Sequence, residues 1–544
     1  MKAVRRRQRL SRAQITLGLL VLIAIGWAVT PNESVLARQR GNEFPLVQLP
    51  PGFQIEKVAA GLSFTTELAF DNRGRLYVAE AGGGFEPVEF RSPRILRVDI
   101  ANGQTEVVID LTTLVVPPVV GLAWDNGWLY FTHRDLDDTG ALSRVRDTGG
   151  TPEKLLTGFA SAQAEHFMNG IEVRDGWVYF GVGQAGNSGV LGPDVAPFIK
   201  RNPSLRPIPC VDLVMRGRNF LGPNVLGEGQ VLTGPYAPFG QTTHEGQVVP
   251  GERKCGGAVH RFNPSDPEGT LEMVAFGIRQ PIGLAFNPQG ELFVGENGYD
   301  VRGLRPVNDQ VDATLRIRPG HWYGFPDFSA AREPVNMAKF DSPDELQAPI
   351  VLVRADGSQE PLGKTLDFVI DHAATGLSAP DRSLVIGLHP VNASPSGIDV
   401  APASWSRLAG QVLVAEWGDL APPTNPLRQQ RAGFRIVRVD PAQSQVAVQP
   451  FVQNRQPGPA SEHGAPGQGL ERPFDVAFGP DIDRPGRSRN RAEDAMYISD
   501  YGIVEIDFLK APPYRYIPDT GAIWRVTRRG AMPANVPPPP VQSR

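Results

Sequence analysis

One unit recurs six times along this chain, and that recurrence restricts the possible folds more than any other feature. Each copy opens with an apolar stretch, turns at Gly, Asn or Asp, and returns in a second alternating stretch that ends in small or acidic residues. An arginine-bearing strand follows later. The copies open at "TELAFDNRGRLYVAEAG" (66–82), "VGLAWDNGWLYFTHRD" (120–135), "NGIEVRDGWVYFGVGQAG" (169–186), "IGLAFNPQGELFVGENG" (282–298), "SGIDVAPASWSRLAGQVLVAEWGD" (396–419), and "FDVAFGPD" (474–481) with "AMYISDYG" (495–502). Period-2 alternation around a short turn predicts a hairpin in each. A sheet this small cannot bury both faces alone, whereas copies stacked around an axis can. The predicted fold is therefore all-β: one six-bladed β-propeller over residues 45–530, with loops inserted most heavily in the third, fourth and sixth copies. A β-sandwich or a string of β-domains would not require one unit in fixed order. The 59 Gly and 52 Pro in 544 residues suit short strands and turns.

The ends of the chain read differently. Lys2, Arg5, Arg6, Arg7, Arg9 and Arg12 precede an uncharged run from Gln14 to Val29, closed by Pro31. A basic flank before an apolar core is an export pattern. Residues 1–37 are expected to be a signal peptide cut after Val35-Leu36-Ala37, or an uncleaved anchor that tethers the chain to a membrane through residues 14–29. Either way the body is expected outside the cytoplasm, in the periplasm or cell envelope. In an oxidising compartment Cys210 and Cys255, the chain's two cysteines, read as one disulfide. The stretch "AMPANVPPPPVQSR" (531–544) reads as a disordered Pro-rich tail. A formal charge of −4 gives no reason to expect a nucleic-acid partner.

A propeller places its chemistry predictably. Residues just before each innermost strand, and those just after the second strand, crowd one end of the axial channel. The first set holds Glu165 and His166, Arg279 and Gln280, His389 and Ser394, and Arg472. The second holds Glu80, His133 with Asp135, Gln184, Glu296 with Asn297, Glu416 with Asp419, and Asp500. Buried charges cost several kcal/mol each unless paired or ligated, so this convergence predicts a polar funnel. His166 reads either as a base or as a hydrogen-bonded tie between blades. Arg279 and Arg472 read either as ligand contacts or as braces for carbonyls. Glu296 and Asp300 read either as a calcium site or as a solvated rim.

The run "FGIRQPIGLAFNPQGELFVGENGYD" with "LRIRPGHWYGFPDF" (315–328) resembles the glucose/sorbosone dehydrogenase family, quinoproteins on six-bladed propellers that use pyrroloquinoline quinone (PQQ) and calcium. The resemblance spans most of residues 51–528. It implies oxidation of a sugar or aldose by hydride transfer from the C1–OH carbon to the quinone. His166 would be the base, with Glu165 beside it to orient the ring. Arg279, Gln280 and Asn297 would contact the cofactor, and Arg472 would hold its carboxylates. Carbonyls of Gly298 and Tyr299 would ligate calcium, with Asp312 close by. Three family features are missing: the second carboxylate-binding arginine is Phe474 here, a cofactor lysine has no counterpart at Glu416, Trp417 and Gly418, and an acidic ligand is replaced near Ala313. Either Arg302 and Arg305 re-equip the pocket, or the quinone is not bound. Two further readings stand beside this one. The first is a non-catalytic envelope propeller that binds glycan or protein; the second is a metal-dependent lactonase-like hydrolase using Glu80, Asn297 and Asp500. The sequence names neither the sugar nor the electron acceptor.

Overall fold

Each repeat closes into an antiparallel sheet, and the six sheets form a ring. The structure, a computed structural model, describes residues 44, 46–83, 92–428, 430–480, 495–510 and 513–528. The innermost strands of the six blades are β1 (Thr65–Phe70), β2 (Leu122–Asp125), β3 (Met168–Arg174), β4 (Pro281–Phe286), β5 (Pro395–Val400) and β6 (Pro473–Gly479). Each packs against the next, and β6 packs back on β1, so the propeller is six-bladed and closed. The arginine-bearing segments of the repeat are the third strands, such as Arg94–Val98 beside Leu76–Glu80.

Closure uses a strand that the repeat does not announce. The outermost strand of the sixth blade is Phe53–Leu62, from the opposite end of the domain, paired with Gly521–Arg528 from Phe53↔Arg528 to Leu62↔Gly521. Val47–Gln48 likewise adds an edge strand to the fifth blade. Period-2 alternation gives each blade two apolar faces, and each interface between neighbours holds its own apolar cluster. Between the first and second blades, for example, Tyr77, Ile95, Leu129 and Phe131 are fully buried. Each such side chain contributes about 1.5–3 kcal/mol.

The insertions of the third and fourth blades fold together. Gln230–Thr233, Arg218–Pro223, Ile350–Val353 and Gln359–Gly363 form one extra four-stranded sheet. Leu213–Arg216 pairs with Glu245–Val249 beside it. Cys210 and Cys255 are bonded across 45 residues of this insertion. The expected signal or anchor (1–37) and the Pro-rich tail (531–544) lie outside the described residues.

Candidate active site

A cavity of about 140 Å³ opens at the end of the ring where the chain enters the innermost strands. That is room for on the order of ten waters, or one small ring-shaped molecule. Glu165, His166, Arg279 and Gln280 reach it from just before β3 and β4, and Asn297, Gly298 and Asp312 from the turn and third strand of the fourth blade. Phe167, Trp417 and Phe474 form apolar wall.

His166 is buried at 4% exposure. Its Nδ1 lies 2.7 Å from the carbonyl oxygen of Gln184. A carbonyl only accepts, so Nδ1 carries the proton and Nε2 keeps the lone pair of the neutral ring. Burial, reinforced by the Arg279 and Arg302 charges, holds this imidazole well below its ordinary pKa. Gly183 makes the fit possible: a Cβ there would stand 2.4 Å from the His166 Cβ. Glu165 does not orient the ring. Its Oε1 is 3.6 Å from Nε2 and is ion-paired with Arg302. The Gln184 carbonyl orients the ring instead.

Arg302 anchors a web of charge. Its Nε meets Asp300 at 2.9 Å, its Nη1 meets Asp194 at 3.0 Å, and its Nη2 meets Glu165. Arg279 shares Asp300 at 3.0 Å and also donates to the Asn187 carbonyl at 2.8 Å and to its Oδ1 at 3.0 Å. Asp312 accepts the backbone N–H groups of Gly298 and Ser394 at 2.7 and 2.8 Å, yet burial still pushes it up to about 7. Asp194, also raised chiefly by burial, stands at about 6. Three buried polar atoms on the cavity residues, Asn169 Nδ2, Asn297 Oδ1 and Thr424 Oγ1, have no partner among the described residues. Unpaired buried polar atoms cost free energy unless a ligand or water meets them.

Other expected residues lie elsewhere. Arg472 is fully buried behind the wall: it donates to the carbonyls of Gly418 and Asp419 at 3.1–3.2 Å and lies over the rings of Trp417 (4.3 Å) and Phe434 (4.9 Å). Phe474, two residues on, occupies the wall instead. Tyr299, expected to offer its main-chain carbonyl to calcium, donates its side-chain hydroxyl to the Phe328 carbonyl at 2.9 Å. Arg305 is paired with Asp327 away from the cavity. His133 bonds Ser143, and His389 bonds Glu416.

The predicted funnel of acidic residues is mostly blade architecture. Glu80 accepts Ser63 N–H and pairs with Arg94. Glu296 accepts Arg279 N–H and pairs with Arg332. Asp500 accepts the N–H groups of Glu471 and Arg472. These carboxylates fix the loops that lead into the innermost strands. Asn169, Asp194 and Thr424 were not singled out by sequence reasoning. For Asn169 the signal was its place three residues after His166, at the start of the same innermost strand; Asp194 and Thr424 lie in inserted loops and carried none.

The fold and site define the protein's class: a closed six-bladed propeller with a polar cavity at one end of its axis, holding a neutral histidine. No protein-family model matches the chain, and no curated protein matches it significantly. Among solved structures it is similar to the PQQ-bound form of an aldose sugar dehydrogenase from Streptomyces coelicolor (16% identity over 88% of this chain and 99% of that one, TM-score 0.44). It is also similar to the holo form of a pyranose dehydrogenase PQQ domain from Coprinopsis cinerea (14%, 89% and 97%, TM-score 0.49) and to a streptogramin B lyase (9%, 88% and 98%, TM-score 0.33).

Proposed function

We propose that the cavity is the active site of a sugar-handling oxidoreductase, in which His166 accepts the proton of a substrate hydroxyl. The observation that supports this best is the Nε2 lone pair of a buried, neutral imidazole whose tautomer is held by the Gln184 carbonyl. A neutral imidazole near pH 7 is suited to take the O–H proton while hydride leaves the carbon that bears that hydroxyl for a two-electron acceptor, an uncharged quinone or the dye that the assay supplies. The aromatic wall of Phe167, Trp417 and Phe474 suits the C–H face of a sugar ring. Asn169 Nδ2, Asn297 Oδ1 and Thr424 Oγ1 offer donors and acceptors to its hydroxyls.

PQQ with calcium is the finer part of this reading. When bound, the quinone would accept the hydride. Arg279, Gln280, Asn297 and Gly298 do face the cavity. The donor set nevertheless does not fit a tricarboxylate: Arg279 and Arg302 are already ion-paired with carboxylates of this chain, and Arg472 is turned behind Trp417. No step is assigned to the quinone. The lactonase-like reading loses two of its three donors, because Glu80 and Asp500 serve the blade loops and only Asn297 faces the cavity.

The test is dye-linked oxidation across a panel of aldoses by the full chain, with and without PQQ and Ca²⁺, alongside calorimetric sugar binding. Turnover that His166→Gln abolishes while sugar binding persists supports the proposal. Binding without turnover for any acceptor favours a non-catalytic glycan receptor, and neither binding nor turnover removes the sugar reading. The basic flank and apolar run near the N-terminus support export to the periplasm or envelope, which cell fractionation checks.

A further inference from the structure

We infer that the cavity is closed to polyanions by its own internal ion pairs, so that it selects an uncharged polyol and rejects a tricarboxylate quinone. This rests on the reading of the cavity as a sugar site. The argument starts from the donors. Arg302 gives an arm each to Asp300, Asp194 and Glu165, and Arg279 gives one to the same Asp300. Asp300 is further fixed by Asn392 Nδ2 at 2.7 Å. A guanidinium so matched has little attraction left for an incoming carboxylate.

The balance of charge points the same way. The cavity residues include three carboxyl groups, Glu165, Asp300 and Asp312, the last only partly ionised near pH 7, against two guanidinium groups, and no lysine. The third guanidinium that would have tipped the balance, Arg472, donates to main-chain carbonyls instead. A trianion entering this space would lose its hydration and meet no unmatched cation. The unpartnered atoms call for hydroxyls: Asn169 Nδ2 needs an acceptor, and Asn297 Oδ1 needs a donor. A hydroxyl supplies both; a carboxylate supplies only acceptors.

Calorimetric titration of the full chain tests this with three probes: PQQ in Ca²⁺, the trimethyl ester of PQQ, and a neutral aldose panel. The ester is expected to bind at least about tenfold more tightly than the tricarboxylate, since it keeps the ring and removes the charge. The double variant Glu165→Gln, Asp300→Asn removes the carboxylate paired with Arg279 and two of the three held by Arg302, and is expected to gain at least about tenfold in affinity for the tricarboxylate. Thermal unfolding checks that it folds, and the ester comparison on the wild-type chain stands without it. Wild-type protein binding PQQ as tightly as the ester would overturn the inference, and so would a folded double variant that gains nothing. If the quinone series behaves as expected while no aldose binds, the sugar reading fails and the charge inference stands.

Discussion

Replacing His166 by Gln provides a direct measure of the neutral imidazole on which the proposed chemistry depends. Gln keeps a donor for the Gln184 carbonyl but cannot titrate. In the unfolded chain a histidine titrates near pH 6.5, whereas burial and the Arg279 and Arg302 charges hold His166 well below that when folded. A depressed folded pKa contributes stability that is complete above the unfolded value and lost as the pH falls below it. Protonation of the unfolded ring between pH 7 and about pH 5, from which the lowered folded ring is held back, sets a ceiling of about 2 kcal/mol on the stability lost over that range. His133 and His260, both lowered to about 4 by burial, titrate in the same sense in both proteins and cancel in the comparison. Urea unfolding of the two proteins at about pH 7 and pH 5 is the assay. The destabilisation caused by His166→Gln at neutral pH should shrink at the lower pH, by at most about 2 kcal/mol. Equal differences at both values, with unchanged m, would show that the folded imidazole is charged or freely solvated, and the assignment of Nε2 as a lone-pair acceptor would fail.

Gly183→Ala places a Cβ 2.4 Å from the His166 Cβ, so it should cost about 1–3 kcal/mol by overpacking and lower sugar turnover more than His166-independent functions; denaturation and activity measured together check this. Cys210→Ser with Cys255→Ser opens a 45-residue loop and should lower stability by about 4 kcal/mol on the chain-entropy account, read by the shift in urea midpoint. A chain beginning after Leu62 lacks the outer strand of the sixth blade and should lose cooperative unfolding; a sharp thermal transition in that truncation would show that the ring does not depend on this closure. Asp312, raised to about 7 against an ordinary value near 3.8, favours the folded state at low pH and withdraws that support as pH rises toward 7. Asp312→Asn should flatten this part of the stability profile, and an unchanged slope between about pH 4 and 7 would refute the burial that raises it.

The sequence alone determined the ring, because period-2 alternation and turn chemistry are local and their sixfold recurrence leaves one way to bury every face. It also brought His166, Arg279, Gln280 and Asn297 into consideration together, since in a propeller the place of a residue in the repeat is its place around the axis, while the family resemblance added Gly298 and Asp312. Long-range pairing decided the rest. Phe53–Leu62 finds its partner strand more than 450 residues away, and no local pattern marks that choice. Arg472 sits at the expected position but turns behind Trp417, where two carbonyls and two rings hold it. Arg302 reaches the cavity, yet Glu165, 137 residues earlier, and Asp194, 108 residues earlier, saturate it. Which cations stay available to a ligand depends on these distant carboxylates, and only the folded chain brings them together.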